Sequence, residues 1–167
     1  MLYAAYGSNL HPVRLSTRLP GSRLVGVAAI AGKKLRFHKR GQDGSGKCNI
    51  IAGDGRINVA VYEINAQERD LLDRTEGVGS GYCVETIEAP GFGECFTYVA
   101  PPSYTDSKLR PYSWYKELVL VGCKALKFPI DYIAMIINVA AIDDADKDRY
   151  AANKQLVENA RMSSVAW

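Results

Sequence analysis

The chain has 167 residues, 47% of them hydrophobic, and its 21 Lys and Arg against 18 Asp and Glu give a net charge of +3. That length suits a single domain burying on the order of 70% of its unfolded surface. The near-balanced charge gives no reason to expect a nucleic-acid partner, and no apolar run approaches the roughly 20 residues that span a bilayer. No basic segment leads into an apolar run as in a secretory signal, so a soluble, cytoplasmic protein is expected. Cys48, Cys83, Cys95 and Cys123 are scattered without a CxxC pair, which argues against a zinc ribbon or a thioredoxin-type site and suits reduced thiols.

In chain order, residues 2–5 read as a short apolar strand and residues 12–19 as a helix with Pro12 in its first turn. Between them lies Tyr6-Gly7-Ser8-Asn9-Leu10. Gly7 can take backbone angles closed to other residues, and Ser8 and Asn9 favour turns and caps. The N–H groups of Gly7, Ser8, Asn9 and Leu10 can then converge near the positive end of the helix, where they could hold a carboxylate, a phosphate or a developing oxyanion. The alternative is an ordinary strand-to-helix connection with a capping Asn.

Residues 24–39 read as the next strand. Leu35 and Phe37 alternate with Lys34, Arg36 and His38, the pattern of one buried and one solvated face. Residues 1–40 carry eight Lys or Arg and no acid, whereas residues 131–148 are mainly acidic, so an anionic small molecule would be drawn to the first part. A nucleic-acid patch on residues 33–40 is the competing reading of that run. Further strands are expected at residues 49–52, 57–64, 82–88 and 95–100, and helices at 66–75, 111–121, 129–140 and about 145–161. Consecutive antiparallel strand candidates with helices before and after them make an α+β pattern, a single domain with a curved, partly closed sheet and flanking helices.

The helix at 66–75 carries its own punctuation. Asn65 and Glu68 form a capping-box pattern, and Gly77 sits where a left-handed turn would close the helix. Glu76 therefore falls at the negative end of the helix dipole, where an ionised carboxylate is disfavoured. A group that must both take and give a proton is served by such a place. The bland alternative is a surface Glu in a helix-terminal turn. Gly77, Gly79 and Gly81 would let backbone approach a ligand.

Two other patterns fail on context. Residues 41–47 match a phosphate-binding loop through Lys47, but Cys48 stands where Ser or Thr would hold magnesium, and a strand follows where a helix must start. A hairpin loop is the better reading. Residues 77–81 lack the strand-to-helix setting of a dinucleotide fingerprint. His11 and His38 are the only histidines, and neither stands in a recognisable triad context.

Three ordered segments together resemble the gamma-glutamylcyclotransferases of the AIG2-like superfamily. Tyr3-Ala4-Ala5-Tyr6-Gly7-Ser8-Asn9-Leu10 is similar to their N-terminal substrate loop. The stretch from Leu72 through Asp73-Arg74-Thr75-Glu76-Gly77 to Tyr82 is similar to the segment bearing their catalytic glutamate. Ser113-Trp114-Tyr115-Lys116, continuing into Gly122-Cys123-Lys124-Ala125, is similar to the segment with a substrate-contacting tyrosine. The resemblance spans roughly residues 1–140 and implies a small mixed β-barrel with flanking helices, release of 5-oxoproline from gamma-glutamyl compounds, and no cofactor or metal. It assigns substrate contacts to Tyr3, Ala4, Ala5, Tyr6, Gly7, Ser8, Asn9, Leu10 and Tyr115, and the acid/base role to Glu76. The YGSN form of the loop points to the branch acting on gamma-glutamyl amino acids. Residues 141–167 have no counterpart and read as a helical extension that packs on the same domain or on a second copy in a homodimer. The competing functions are a non-catalytic relative that binds a small anion, and a basic nucleic-acid-binding module.

Overall fold

The computed structural model describes residues 1–163, so of the expected extension at 141–167 the last four residues lie outside what is described. Five strands form one mixed, curved sheet in the order β2-β3-β1-β5-β4. At its centre is β1 (Leu2–Ala5), antiparallel to β3 through Tyr3 opposite Tyr62 and parallel to β5 through Tyr3 opposite Phe96. Ala4 and Ala5 are wholly buried, their small side chains allowing close packing around the central strand.

The long hairpin of β2 (Arg23–Arg40) and β3 (Gly46–Glu63) departs from the sequence reading, which placed two separate strands at 49–52 and 57–64. Gly53, Asp54 and Gly55 look like a break. The ladder slips there instead, Lys33 pairing with Ala52 and Ala31 with Arg56, so β3 bulges and bends without ending. Residues 41–45 make the hairpin turn, closed by the Gly41 N–H donating to the Ser45 carbonyl at 2.8 Å. Lys47, just beyond it, is paired with Asp43 at 2.6 Å, so the phosphate-loop lookalike is a hairpin.

The second hairpin joins β4 (Cys83–Ala89) to β5 (Gly93–Val99). Its turn presents Phe92 to β2, where a Cβ on Gly26 would fall 2.5 Å from the ring. Lys39 of β2 lies over the Tyr82 ring at 4.7 Å. The two ends of the sheet thus curl towards each other, the partly closed form expected.

Around the sheet stand α1 (Pro12–Arg18), α2 (Ala66–Glu76), α3 (Ser113–Ala125), α4 (Ile130–Ile137) and α5 (Lys147–Met162). The capping box of α2 is complete: Asn65 Oδ1 accepts from the Glu68 N–H at 2.9 Å, and Glu68 Oε2 accepts from the Asn65 N–H at 3.2 Å. Glu68 Oε1 also accepts from the Gly21 N–H at 2.6 Å, which ties α2 to the chain entering β2. The third helix starts two residues later than read, because Pro111 and Tyr112 remain outside it, and it runs on to Ala125. It passes so close to the substrate-loop candidate that a Cβ on Gly122 would lie 2.7 Å from Leu10 Cβ. α5 packs on α3 of the same chain, with Lys154 bonded to Glu117 at 2.7 Å and Val157 and Ala160 buried beside Leu118 and Val121. Among the described residues no helix is long and apolar enough to cross a membrane.

Candidate active site

The chain leaves β1 at Ala5 and turns into α1 through Tyr6 to Leu10. The Leu10 N–H donates to the Gly7 carbonyl at 3.0 Å, which makes residues 7–10 a tight turn and uses one of the four donors that the sequence had suggested for a ligand. Gly7 does not sit in the left-handed region as the sequence had suggested; its φ is not positive. What demands glycine is proximity, since a Cβ there would stand 3.1 Å from Cys48 Cβ and 3.5 Å from Tyr115 Oη. The turn is pressed directly onto β3 and α3.

Facing the turn is the C-terminal end of α2. Glu76 is its last residue, and Gly77 caps it at φ 69°, ψ 47°, the left-handed conformation that glycine takes without penalty. Asn9 links the two elements. Its Nδ2 donates to Glu76 Oε1 at 2.9 Å and to Tyr3 Oη at 3.2 Å, and its Oδ1 accepts from Arg18 Nη1 at 3.0 Å. Arg18 has no acceptor, so the amide oxygen must be the atom that faces it. The same guanidinium lies 3.5 Å from Glu76 Oε1. Asn9 and Arg18 thus hold one oxygen of the Glu76 carboxylate at the C-terminal end of α2. Sequence reasoning registered the dipole and missed Arg18.

Around these groups is a hollow of about 30 Å³ lined by Tyr3, Tyr6, Gly7, Ser8, Asn9, Cys48, Glu76, Tyr82, Tyr98 and Tyr115. The structure therefore gathers Tyr3, Tyr6, Gly7, Ser8, Asn9, Glu76 and Tyr115 from the sequence-derived set. It does not bring Ala4, Ala5 or Leu10 to the hollow: Ala4 and Ala5 point into the core from the central strand, and Leu10 is buried against Gly122 with its carbonyl accepting from Tyr62 Oη at 2.6 Å. Cys48, Tyr82 and Tyr98 are not among the sequence-derived site residues, since they come from β3 and from the two ends of the β4–β5 hairpin and converge only through tertiary pairing.

The aromatic wall is held by hydrogen bonds to backbone. Tyr6 Oη donates to the Tyr98 carbonyl, Tyr82 Oη donates to the Cys48 carbonyl at 2.6 Å, and Tyr115 Oη accepts from the Cys48 N–H at 3.2 Å. Burial, reinforced by the negative charge of Glu76, pushes the Tyr3 hydroxyl far above its ordinary value, so it remains a neutral donor and acceptor. Burial pushes the Cys48 thiol up to about 12, which leaves it unionised and a poor nucleophile.

The hollow shares Ser8, Glu76, Tyr82 and Tyr115 with a wider cleft of about 610 Å³, a size suited to a small-molecule ligand. Arg14, Arg18, Lys39, Arg40, Lys47 and Arg74 line this cleft beside only two acids, Asp43 and Glu76. Of the basic run at 33–40 only Lys39 and Arg40 reach it. Asn153 of α5 also lines it, so the C-terminal extension contributes to the cleft wall. That helix is fastened by Asp144, which accepts from Trp114 Nε1 at 3.0 Å and from Arg149 at 2.5 Å and so anchors the residue next to Tyr115.

Comparison with known proteins adds an independent line. Residues 3–117 match the family profile "Gamma-glutamyl cyclotransferase, AIG2-like". The gamma-glutamylcyclotransferase of Homo sapiens is 30% identical over 139 residues, covering 78% of this chain and 74% of that protein, and the one of Bos taurus is 29% identical over the same span. A solved structure titled "Gamma-glutamyl cyclotransferase" superposes with a TM-score of 0.81 at 24% identity, covering 95% of this chain and 98% of that one, and so shares its fold.

Proposed function

This chain belongs to the gamma-glutamyl cyclotransferase, AIG2-like family, and on that premise we propose that it releases 5-oxoproline from gamma-glutamyl compounds with Glu76 as the acid/base group. The observation that carries the reading is a single carboxylate, 18% exposed, fixed by Asn9 at the mouth of a small hollow that the glycine turn helps to wall.

The reaction needs little else. The free α-amine of a gamma-glutamyl group attacks its own γ-carbonyl, a new N–C bond closes a five-membered ring, and the bond to the attached amine breaks. Holding the chain folded for that attack can be worth on the order of 10⁵ M in effective molarity or more. Glu76 takes the proton released by the α-ammonium and returns one to the departing nitrogen, shuttling worth about 10²- to 10⁴-fold. Its Oε1 is occupied by Asn9 and Arg18, which leaves Oε2 for the substrate. The N–H groups of Gly7, Ser8 and Asn9 have no protein acceptor among the described residues and border the hollow, where they serve the oxyanion or the substrate α-carboxylate. Tyr3 and Tyr115 orient the aliphatic part. The hollow by itself holds about two water-sized sites, so the departing amine extends into the wider cleft.

The test is to mix the purified protein with several gamma-glutamyl amino acids and follow 5-oxoproline. Turnover by the wild type and loss of at least 10²-fold in kcat for Glu76→Gln is the expected result. Turnover that survives the substitution removes Glu76 from its role. Ligand-induced stabilisation with no product over hours would support a non-catalytic binder instead.

A further inference from the structure

The cleft carries more positive charge than its own carboxylates neutralise. Lys47 is spent on Asp43 at 2.6 Å, Arg18 lies against Glu76 at 3.5 Å, and Arg40 reaches Asp106 at 3.8 Å. Arg14, Lys39 and Arg74 have no acidic partner within 4 Å among the described residues. Arg14 is only partly exposed, and its Nε is buried without an acceptor. Lys39 lies against the Tyr82 ring, with Nζ 3.1 Å from where a Cβ on Gly81 would be, and so is held at the cleft wall. The charges on Arg14 and Lys39 therefore stand at the cleft wall without a carboxylate of the described residues to neutralise them, open to pairing with an anion that enters the cleft.

Resting on the cyclotransferase reading above, we propose that Arg14 and Lys39 make this cleft selective for gamma-glutamyl compounds whose departing amine carries two carboxylates, that is, gamma-glutamyl derivatives of acidic amino acids. One carboxylate of such a leaving group meets the Arg14 guanidinium, whose planar fork matches it, and the other meets the Lys39 ammonium. A leaving group with a single carboxylate, such as the alanine of gamma-glutamyl-alanine, satisfies only one of the two cations. Burial holds both groups below their ordinary values, Arg14 at about 10, yet both stay cationic at neutral pH, and an arriving anion relieves the cost of their desolvation. Because these contacts lie away from the reacting atoms and are equal in ground and transition states, they act on KM more than on kcat.

The experiment compares gamma-glutamyl-glutamate with gamma-glutamyl-alanine by 5-oxoproline release in the full chain, in Arg14→Gln/Lys39→Gln, and in Lys33→Gln/Arg36→Gln, which loses the same charge from residues of β2 that do not line the cleft. In the wild type the ratio of kcat/KM for gamma-glutamyl-glutamate over gamma-glutamyl-alanine, two carboxylates against one, is expected to be about ten- to a hundredfold, mostly through KM, and to fall as salt rises. The Arg14/Lys39 pair should bring that ratio to within about threefold of unity, while the control pair keeps it. Working with a ratio cancels any general loss that the substitutions cause. Equal turnover of both substrates by the wild type, or a preference that persists in Arg14→Gln/Lys39→Gln, overturns the selectivity while leaving the cyclotransferase reading intact. No 5-oxoproline from either substrate would refute both.

Discussion

Asn9→Ala isolates the clamp on Glu76. The substitution removes two bonds donated by Nδ2, to Glu76 at 2.9 Å and Tyr3 at 3.2 Å, and one accepted from Arg18 at 3.0 Å. A neutral bond of this kind is worth about 1 kcal/mol net. The two bonds to charged partners would be worth more if buried, but water can replace them at side chains that are 18% and 26% exposed, which brings each down to about 1 kcal/mol. The expected destabilisation is about 3 kcal/mol, read as a lower urea midpoint at constant slope. Activity should suffer more specifically. Without Asn9 the carboxylate swings on its Arg18 contact alone, and misplacement by about 1 Å costs on the order of 10²-fold. The loss belongs in kcat, since substrate contacts around the turn persist, so kcat for gamma-glutamyl-alanine should fall about a hundredfold with KM changed by less than about threefold. A folded Asn9→Ala protein with kcat within twofold of wild type would refute the claim that this amide positions the acid/base group.

Gly7→Ala adds a methyl 3.1 Å from Cys48 Cβ at a φ that alanine tolerates; it should raise KM at least tenfold while destabilising by only about 1 kcal/mol, measured by kinetics and urea unfolding. Tyr115→Phe orphans the buried Cys48 N–H, so a loss of about 1–3 kcal/mol in unfolding free energy is expected. Gly77→Ala forces a left-handed conformation on a residue with a side chain at the end of α2 and should cost about 1 kcal/mol, seen as a lower Tm. The Arg149 guanidinium and the Trp114 indole hold the Asp144 carboxyl down at about 2, below its ordinary 3.8. A carboxyl depressed on folding stabilises the protein above its unfolded value and loses that contribution as pH falls through the folded one. The gap in Tm between wild type and Asp144→Asn should therefore be full at pH 7 and shrink between about pH 4 and pH 2; a gap independent of pH would refute the assignment.

Local signals in the sequence were reliable wherever a few adjacent residues decide the outcome. The caps of α2, Asn65 with Glu68 and Gly77, depend on contacts four or fewer residues apart and are legible for that reason. The turn at Gly7 was legible as a turn, but the reason for its glycine was not, because Cys48 and Tyr115 are remote in sequence. Gly53-Asp54-Gly55 misled because the same residues that end a strand also bend one, and only the partner strand decides between the two. Adjacency groups Ala4, Ala5 and Leu10 with the substrate loop, whereas β1 is the central strand and buried on both faces, which takes both alanines into the core, and packing against α3 takes Leu10 there. Arg14 and Arg18 read as helix charges. Their place in the cleft follows from where α1 docks, which no local pattern encodes.

The position of β1 has a bearing on how the protein is made. This strand is synthesised before both of its neighbours, yet it lies between them, and Tyr3 pairs with Tyr62 on one side and Phe96 on the other. Residues 23–63 can close their hairpin locally while the first strand still lacks one flank. Only when β5 has emerged can the central slot fill, and only then do Asn9, Glu76 and Tyr98 meet. Catalytic competence is thus among the last properties a nascent chain acquires, and a ribosome-bound product stopped before residue 93 should hold the long hairpin but have no activity.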